Sequence, residues 1–100
     1  MSHHASRQEL RSIERQLKKF NAQLEKVPPV DYVRRRELSL ELAREFGAWL
    51  QDVIGGQLQL KKSGDWECCL ETGKWSSSTS GWQGAVTNAI AAVRKRKGWS

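Results

Sequence analysis

Apolar side chains at Leu10, Ile13, Leu17, Phe20, Leu24 and Val27 recur at alternating spacings of three and four. That is the seam of an amphipathic helix. Its start is marked by Ser6 and Glu9, a Ser-x-x-Glu capping box in which each side chain satisfies an orphan amide of the other, and Pro28-Pro29 ends it. Asp31 can cap a second helix that runs to Ile54, where Gly55-Gly56 supplies the stop. On it Leu38, Leu42, Ala43, Phe46, Trp49, Leu50 and Val53 make one broad apolar stripe. Helices of about 21 and 24 residues, about 30 to 36 Å long, joined by so short a turn predict an antiparallel helical hairpin. Val33 and Leu40 lie off the stripe; the expectation is that the C-terminal half covers them, with a homodimer through Val33 and Leu40 as the alternative.

After Gly56 the period changes from 3.6 to 2. Leu58 and Leu60 alternate with Gln57, Gln59 and Lys61, Ser63-Gly64-Asp65 makes a turn, and Trp66, Cys68 and Leu70 alternate with Glu67, Cys69 and Glu71. This is a β-hairpin with one buried face, which points Cys68 inward and Glu67, Cys69 and Glu71 outward. Glu67 and Glu71 are then placed to pair with Lys61 or Lys62 across the hairpin. Thr72-Gly73-Lys74 is a second turn, and Trp75 to Ser78 can form a third, short strand at the edge. Ser80 and Gln83 read as another capping box, ahead of a helix whose stripe is Trp82, Ala85, Val86, Ala89, Ile90 and Val93. Arg94 to Lys97 fill its last turn, where cations complement the helix dipole, and Gly98 closes it.

The pattern predicts an α+β fold in which an N-terminal antiparallel helical hairpin packs with a small antiparallel sheet of two or three strands and a C-terminal amphipathic helix. One hundred residues make one domain, divided into an unstructured start over 1–5, the hairpin over 6–54, the sheet over 56–78 and the last helix over 80–97. No internal repeat is present. The longest uncharged apolar run, Ala89 to Val93, is far below the roughly 20 residues that span a bilayer, so no membrane contact is expected. No secretory signal is expected either. Cys68 and Cys69 are adjacent and cannot bridge each other in a strand, which reads as reduced thiols and a cytoplasmic protein.

The chain carries 17 Lys and Arg against 11 Asp and Glu, a net charge of +6. Residues 1–55 hold ten basic and eight acidic side chains, residues 56–100 seven and three, so the excess is concentrated late. Four consecutive cations, Arg94, Lys95, Arg96 and Lys97, repel one another unless something anionic lies near. Arg34, Arg35 and Arg36 form a second cluster, and Lys61, Lys62 and Lys74 lie in predicted turns. Of the five Trp, Trp49, Trp66 and Trp82 fall on core faces, leaving Trp75 and Trp99 accessible.

Chemistry beyond binding finds little support. A phosphate loop ending at Gly73-Lys74 would need Gly at 68 and Ser or Thr at 75, where Cys68 and Trp75 stand. No His lies beyond His3 and His4, which precede the first element. The carboxylates of the C-terminal half are predicted to face solvent, where nothing shifts their pKa toward acid and base work. Cys68 and Cys69 have only lysines nearby, not the base a nucleophilic thiol needs. No cofactor, metal or catalytic residue is expected.

The C-terminal half, from Trp66-Glu-Cys-Cys-Leu-Glu-Thr-Gly-Lys-Trp75 through a serine-rich stretch into Trp82-Gln-Gly-Ala-Val-Thr-Asn-Ala-Ile-Ala-Ala-Val93, resembles the strand, strand, helix ending of small phage and prophage accessory proteins. The resemblance carries no catalytic residues. It implies a non-enzymatic binder that blocks or regulates a host macromolecular complex, such as an antiviral defence complex. The residues expected to touch that partner are Arg34, Arg35, Arg36, Lys61, Lys62, Lys74, Trp75, Arg94, Lys95, Arg96, Lys97 and Trp99. The alternative expectation is direct nucleic-acid binding by the same surface, basic clusters on phosphates with aromatic side chains between them.

Overall fold

The computed structural model describes residues 4–99. Helix α1 (Arg7–Glu25) starts at the capping box: Ser6 Oγ accepts from the Glu9 amide at 3.1 Å, and Glu9 Oε1 accepts from the Ser6 amide at 2.9 Å. Helix α2 (Tyr32–Trp49) is capped by Asp31, whose Oδ1 accepts from the Arg34 amide at 3.2 Å. It runs into a single π-helical turn, Leu50–Ile54. There the amides of Gly55 and Gly56 both donate to the Leu50 carbonyl, at 2.9 and 3.1 Å. Gly55 adopts a φ of 87°, a left-handed conformation that favours glycine. Gly56 is needed for closeness instead, because a Cβ there would stand 2.7 Å from the Cys69 carbonyl oxygen.

Strands β1 (Gln57–Leu60), β2 (Trp66–Glu71) and β3 (Lys74–Ser78) form an antiparallel sheet in that order, and α3 (Trp82–Lys97) follows. The fold is α+β, with the element order the periodicity predicts. Helix α3 packs on β2 and β3, the C-terminal part of α2 reaches β1, and α1 packs against α2. Registers Gln57↔Cys69↔Trp75 and Gln59↔Glu67↔Ser77 put these residues on the opposite face of the sheet, since directly opposed residues share a face.

The core is aromatic where the three helices meet. Phe46 of α2 is fully buried and Trp82 of α3 nearly so. Their ring centroids lie 5.2 Å apart, and Phe20 of α1 packs edge-on to both, at 5.4 and 6.3 Å. The indole N–H of Trp82 donates to Ser39 Oγ at 3.1 Å, tying the start of α3 to α2.

Several local expectations change. Val33 and Leu40 are not covered by the C-terminal half: they remain 70% and 40% exposed, because the part of α2 before Leu42 meets the core only along the Leu38 and Ser39 side. Order does not begin at Ser6, since Ala5 is buried and its amide donates to Glu71 Oε2 at 3.2 Å. The Ser80 box does not form; Gly81 is the N-cap of α3, with no side-chain cap, and the Ser80 amide donates to Ser78 Oγ at 2.9 Å. Val53, placed on the apolar stripe, is exposed, the π turn having rotated the helix end.

The largest changes concern β2. Cys69 points away from the helices but is buried all the same, because the ladder sets Gln57 and Trp75 on either side of it. Glu71 is buried rather than solvated: the β2–β3 register slips between Cys69 and Glu71, a bulge that re-aims the side chain. Neither Glu67 nor Glu71 pairs with Lys61 or Lys62. Gln59 Nε2 hydrogen-bonds to Glu67 Oε1 directly across the ladder, and Glu71 takes partners from α3.

Candidate functional site

The basic side chains singled out in the sequence separate into three places. Arg34, Arg35 and Arg36 sit in the first turn of α2, at the tip of the helical hairpin. Lys61 and Lys62 sit in the β1–β2 turn. Lys74 follows the β2–β3 turn at the other end of β2, about 17 Å away at 3.3 Å per residue, in register with Glu71. Only Lys74 therefore joins the Arg94 to Lys97 run at one end of the molecule.

That end is built around the buried Glu71. Arg96 reaches Glu71 Oε1 through Nη2 at 2.7 Å and Nε at 3.2 Å, Lys97 Nζ lies 3.5 Å from Oε2, and His4 Nδ1 3.7 Å from Oε2. Burial alone would push the Glu71 carboxyl up. The Arg96 hydrogen bonds, the Ala5 amide and the Lys97 and Arg96 charges outweigh it and hold the group below the usual carboxylate range. Arg94 is paired with Glu14 of α1. The anion that four adjacent cations require is thus largely intramolecular: Glu71 and Glu14 engage three of the four. His3 falls outside the described residues. Among the described residues no three His, Cys, Asp or Glu side chains converge as a metal would need.

The two candidate tryptophans differ. Trp75, 41% exposed on edge strand β3, flanks Cys69. Trp99 is half-buried against the core, held there because Gly98, with a φ of 71°, lets the Trp99 amide fold back onto the Arg94 carbonyl at 2.8 Å. The Arg7 guanidinium lies 5.0 Å from its ring centroid and Lys97 Nζ 5.9 Å. Its ring therefore carries two of the protein's own cations.

Two groups escaped the sequence reading. Arg7 and Arg11, on the polar face of α1, join Arg94 and Trp99 around one pocket; their spacing of four was visible, but not that α3 ends beside them. Val30 and Tyr32, 82% and 80% exposed, extend the Val33 surface at the tip. Burial first, and then the neighbouring Cys69, push the Cys68 thiol up to about 12.

No family model, curated protein or solved structure matches this chain.

Proposed function

We propose that the protein is a small non-catalytic binder that docks on a protein complex through the tip of its helical hairpin and acts by occlusion. The observation that carries this is the juxtaposition of Val30, Tyr32 and Val33, at least 70% exposed, with Arg34, Arg35 and Arg36, which follow them directly at the start of α2. An apolar centre with Tyr and Arg around it is the composition of an interface hot spot. The complementary partner is a protein surface with an apolar patch ringed by carboxylates. Leu40 continues the same side of α2. The long axis of the molecule, 42 Å against 28 and 24 Å, suits a protruding element. An accessory protein that blocks a host complex, the role implied by the likeness of its C-terminal half to phage proteins, fits this shape.

Direct nucleic-acid binding is the second reading, favoured by Lys74, Lys95 and the surrounding cations at the α3 end. It is the weaker one. Lys61, Lys62 and Arg34 to Arg36 do not join that end into a continuous track, and Trp99 already carries Arg7 and Lys97 against its ring.

Capture of a defined complex from the cell of origin tests the first reading. One complex should be retained by the native protein, lost with Tyr32→Ala or Val33→Asp, and kept with a Lys61→Gln/Lys62→Gln control. Equal capture by the tip variants, or retention of nucleic acid alone, overturns it. In the latter case binding should fall about a thousandfold between 50 and 200 mM salt for six phosphate contacts.

A further inference from the structure

At the opposite end of α1 from the tip, about 28 Å away at 1.5 Å per residue, the first turns of α1 and the last turn of α3 enclose a pocket of about 330 Å³. Its walls are Arg7, Leu10, Arg11, Arg94, Gly98 and Trp99. We propose that this pocket seats a phosphate monoester, with Arg7 and Arg11 donating to its oxygens and Arg94 adding positive charge beside them.

The charge balance points there first. Among the described residues the carboxylates close to this end are engaged elsewhere: Glu9 accepts from the Ser6 amide, Glu14 holds Arg94, and Glu71 holds Arg96 and Lys97. Among the described residues Arg7 and Arg11 have no carboxylate partner. Four apart on one helix, they are neighbours and repel each other. Two uncompensated guanidinium groups match a dianion, which is the charge of a phosphate monoester near neutral pH and twice that of an internal phosphodiester.

Geometry supports the same ligand. The Arg7 guanidinium carbon lies 5.0 Å from the centroid of the Trp99 ring, a contact that restrains the group while leaving its N–H donors without a carboxylate among the described residues. Arg94 is restrained by Glu14. The wall carrying Trp99 is held by the Gly98 turn. A tetrahedral anion with three terminal oxygens therefore meets donors whose freedom is already reduced, which lowers the entropic cost of binding. The first turn of α1 adds a helix dipole of favourable sign. This pocket is separate from the hairpin tip, and the proposal stands or falls without it.

Titration of the full chain with inorganic phosphate, a nucleoside, its 5′-monophosphate, and a single-stranded oligonucleotide with and without a 5′-phosphate tests it. Phosphorus NMR and the indole N–H resonance of Trp99 serve as readouts. The monophosphate and inorganic phosphate should bind and shift the Trp99 signal, the nucleoside should not, and the 5′-phosphate should strengthen oligonucleotide binding. Arg11→Gln, at an exposed position without structural partners, should weaken phosphate binding about tenfold or more, while Lys61→Gln leaves it unchanged. Equal binding of nucleoside and monophosphate, equal effects of the two substitutions, or no gain from the 5′-phosphate overturns the proposal. The last outcome, with both oligonucleotides bound, assigns the end to backbone phosphates instead.

Discussion

Arg96 places both Nε and Nη2 on one oxygen of the buried Glu71, at 3.2 and 2.7 Å. This contact fastens the end of α3 to the end of β2, and the Ala5 amide on the other oxygen fastens the start of the chain to the same carboxylate. A buried charge is tolerable only when so satisfied.

Glu71→Gln removes the charge while keeping the size. It leaves Arg96 and Lys97, both about one-third exposed, to be solvated by water, so the expected loss is about 2 kcal/mol at pH 7. Because the folded carboxyl is held below its ordinary value of 4.5, its contribution is fully present above that pH and is lost as pH falls through the folded value. Urea denaturation across pH 7 to 2 should show the native protein converging on the variant at the acid end. A constant gap would contradict the assignment.

The aromatic junction concentrates stability at Phe46. Phe46→Ala opens a cavity among Phe20, Trp49 and Trp82 and should cost about 4 kcal/mol. Ser39→Ala removes the acceptor of the Trp82 indole N–H and should cost about 1 kcal/mol. Calorimetric Tm values of the two variants check this ranking, and a reversed order would refute it.

Gly56→Ala is expected to destabilise by about 1 to 3 kcal/mol. The new methyl would meet the Cys69 carbonyl at 2.7 Å and Leu50 Cγ at 3.1 Å, and the first of these is backbone that a rotamer change cannot move. A denaturation midpoint equal to that of the native protein would show that the approach of the π turn to β2 is looser than described.

Cys68 and Cys69 are free and buried, and Cys68 titrates near 12. At pH 8 a disulfide reagent should modify neither in the native protein on the minute scale and both after addition of guanidinium chloride. Rapid reaction of one thiol without denaturant would place Cys69 at the surface.

The exposed tip is expected to be neutral for folding. Val33→Asp should shift stability by no more than about 0.5 kcal/mol and leave the mass by light scattering unchanged. A halved mass would assign Val33 and Leu40 to a homodimer instead of a foreign partner.

Much of the architecture was written in spacing alone. The Leu10 to Val27 seam, the Ser6 box, the Asp31 cap, the Gly55 stop and the Trp82 to Val93 stripe are local or periodic signals, and each element forms where its own residues direct it. Even the edge strand at Trp75 to Ser78 is marked by the turn before it. What spacing could not convey is which face finds a neighbour. Strict alternation sends Glu71 to solvent; one bulge, set by how β2 meets β3, buries it and converts a run of four repelling cations into a clamp. Helical periodicity assigns Val33 and Leu40 a covering layer, but α2 is longer than the sheet beneath it and leaves them bare. Arg7 and Arg11 are unremarkable positions on a polar helix face until the end of α3 brings Arg94 and Trp99 beside them. Local hydrogen bonds and hydrophobic period depend on near neighbours in sequence and so were legible. The Glu71 clamp joins Ala5, Arg96 and Lys97, the pocket joins Arg7 and Arg11 to Arg94 and Trp99, and the tip stays bare because no later element covers it; only the tertiary structure decides those meetings.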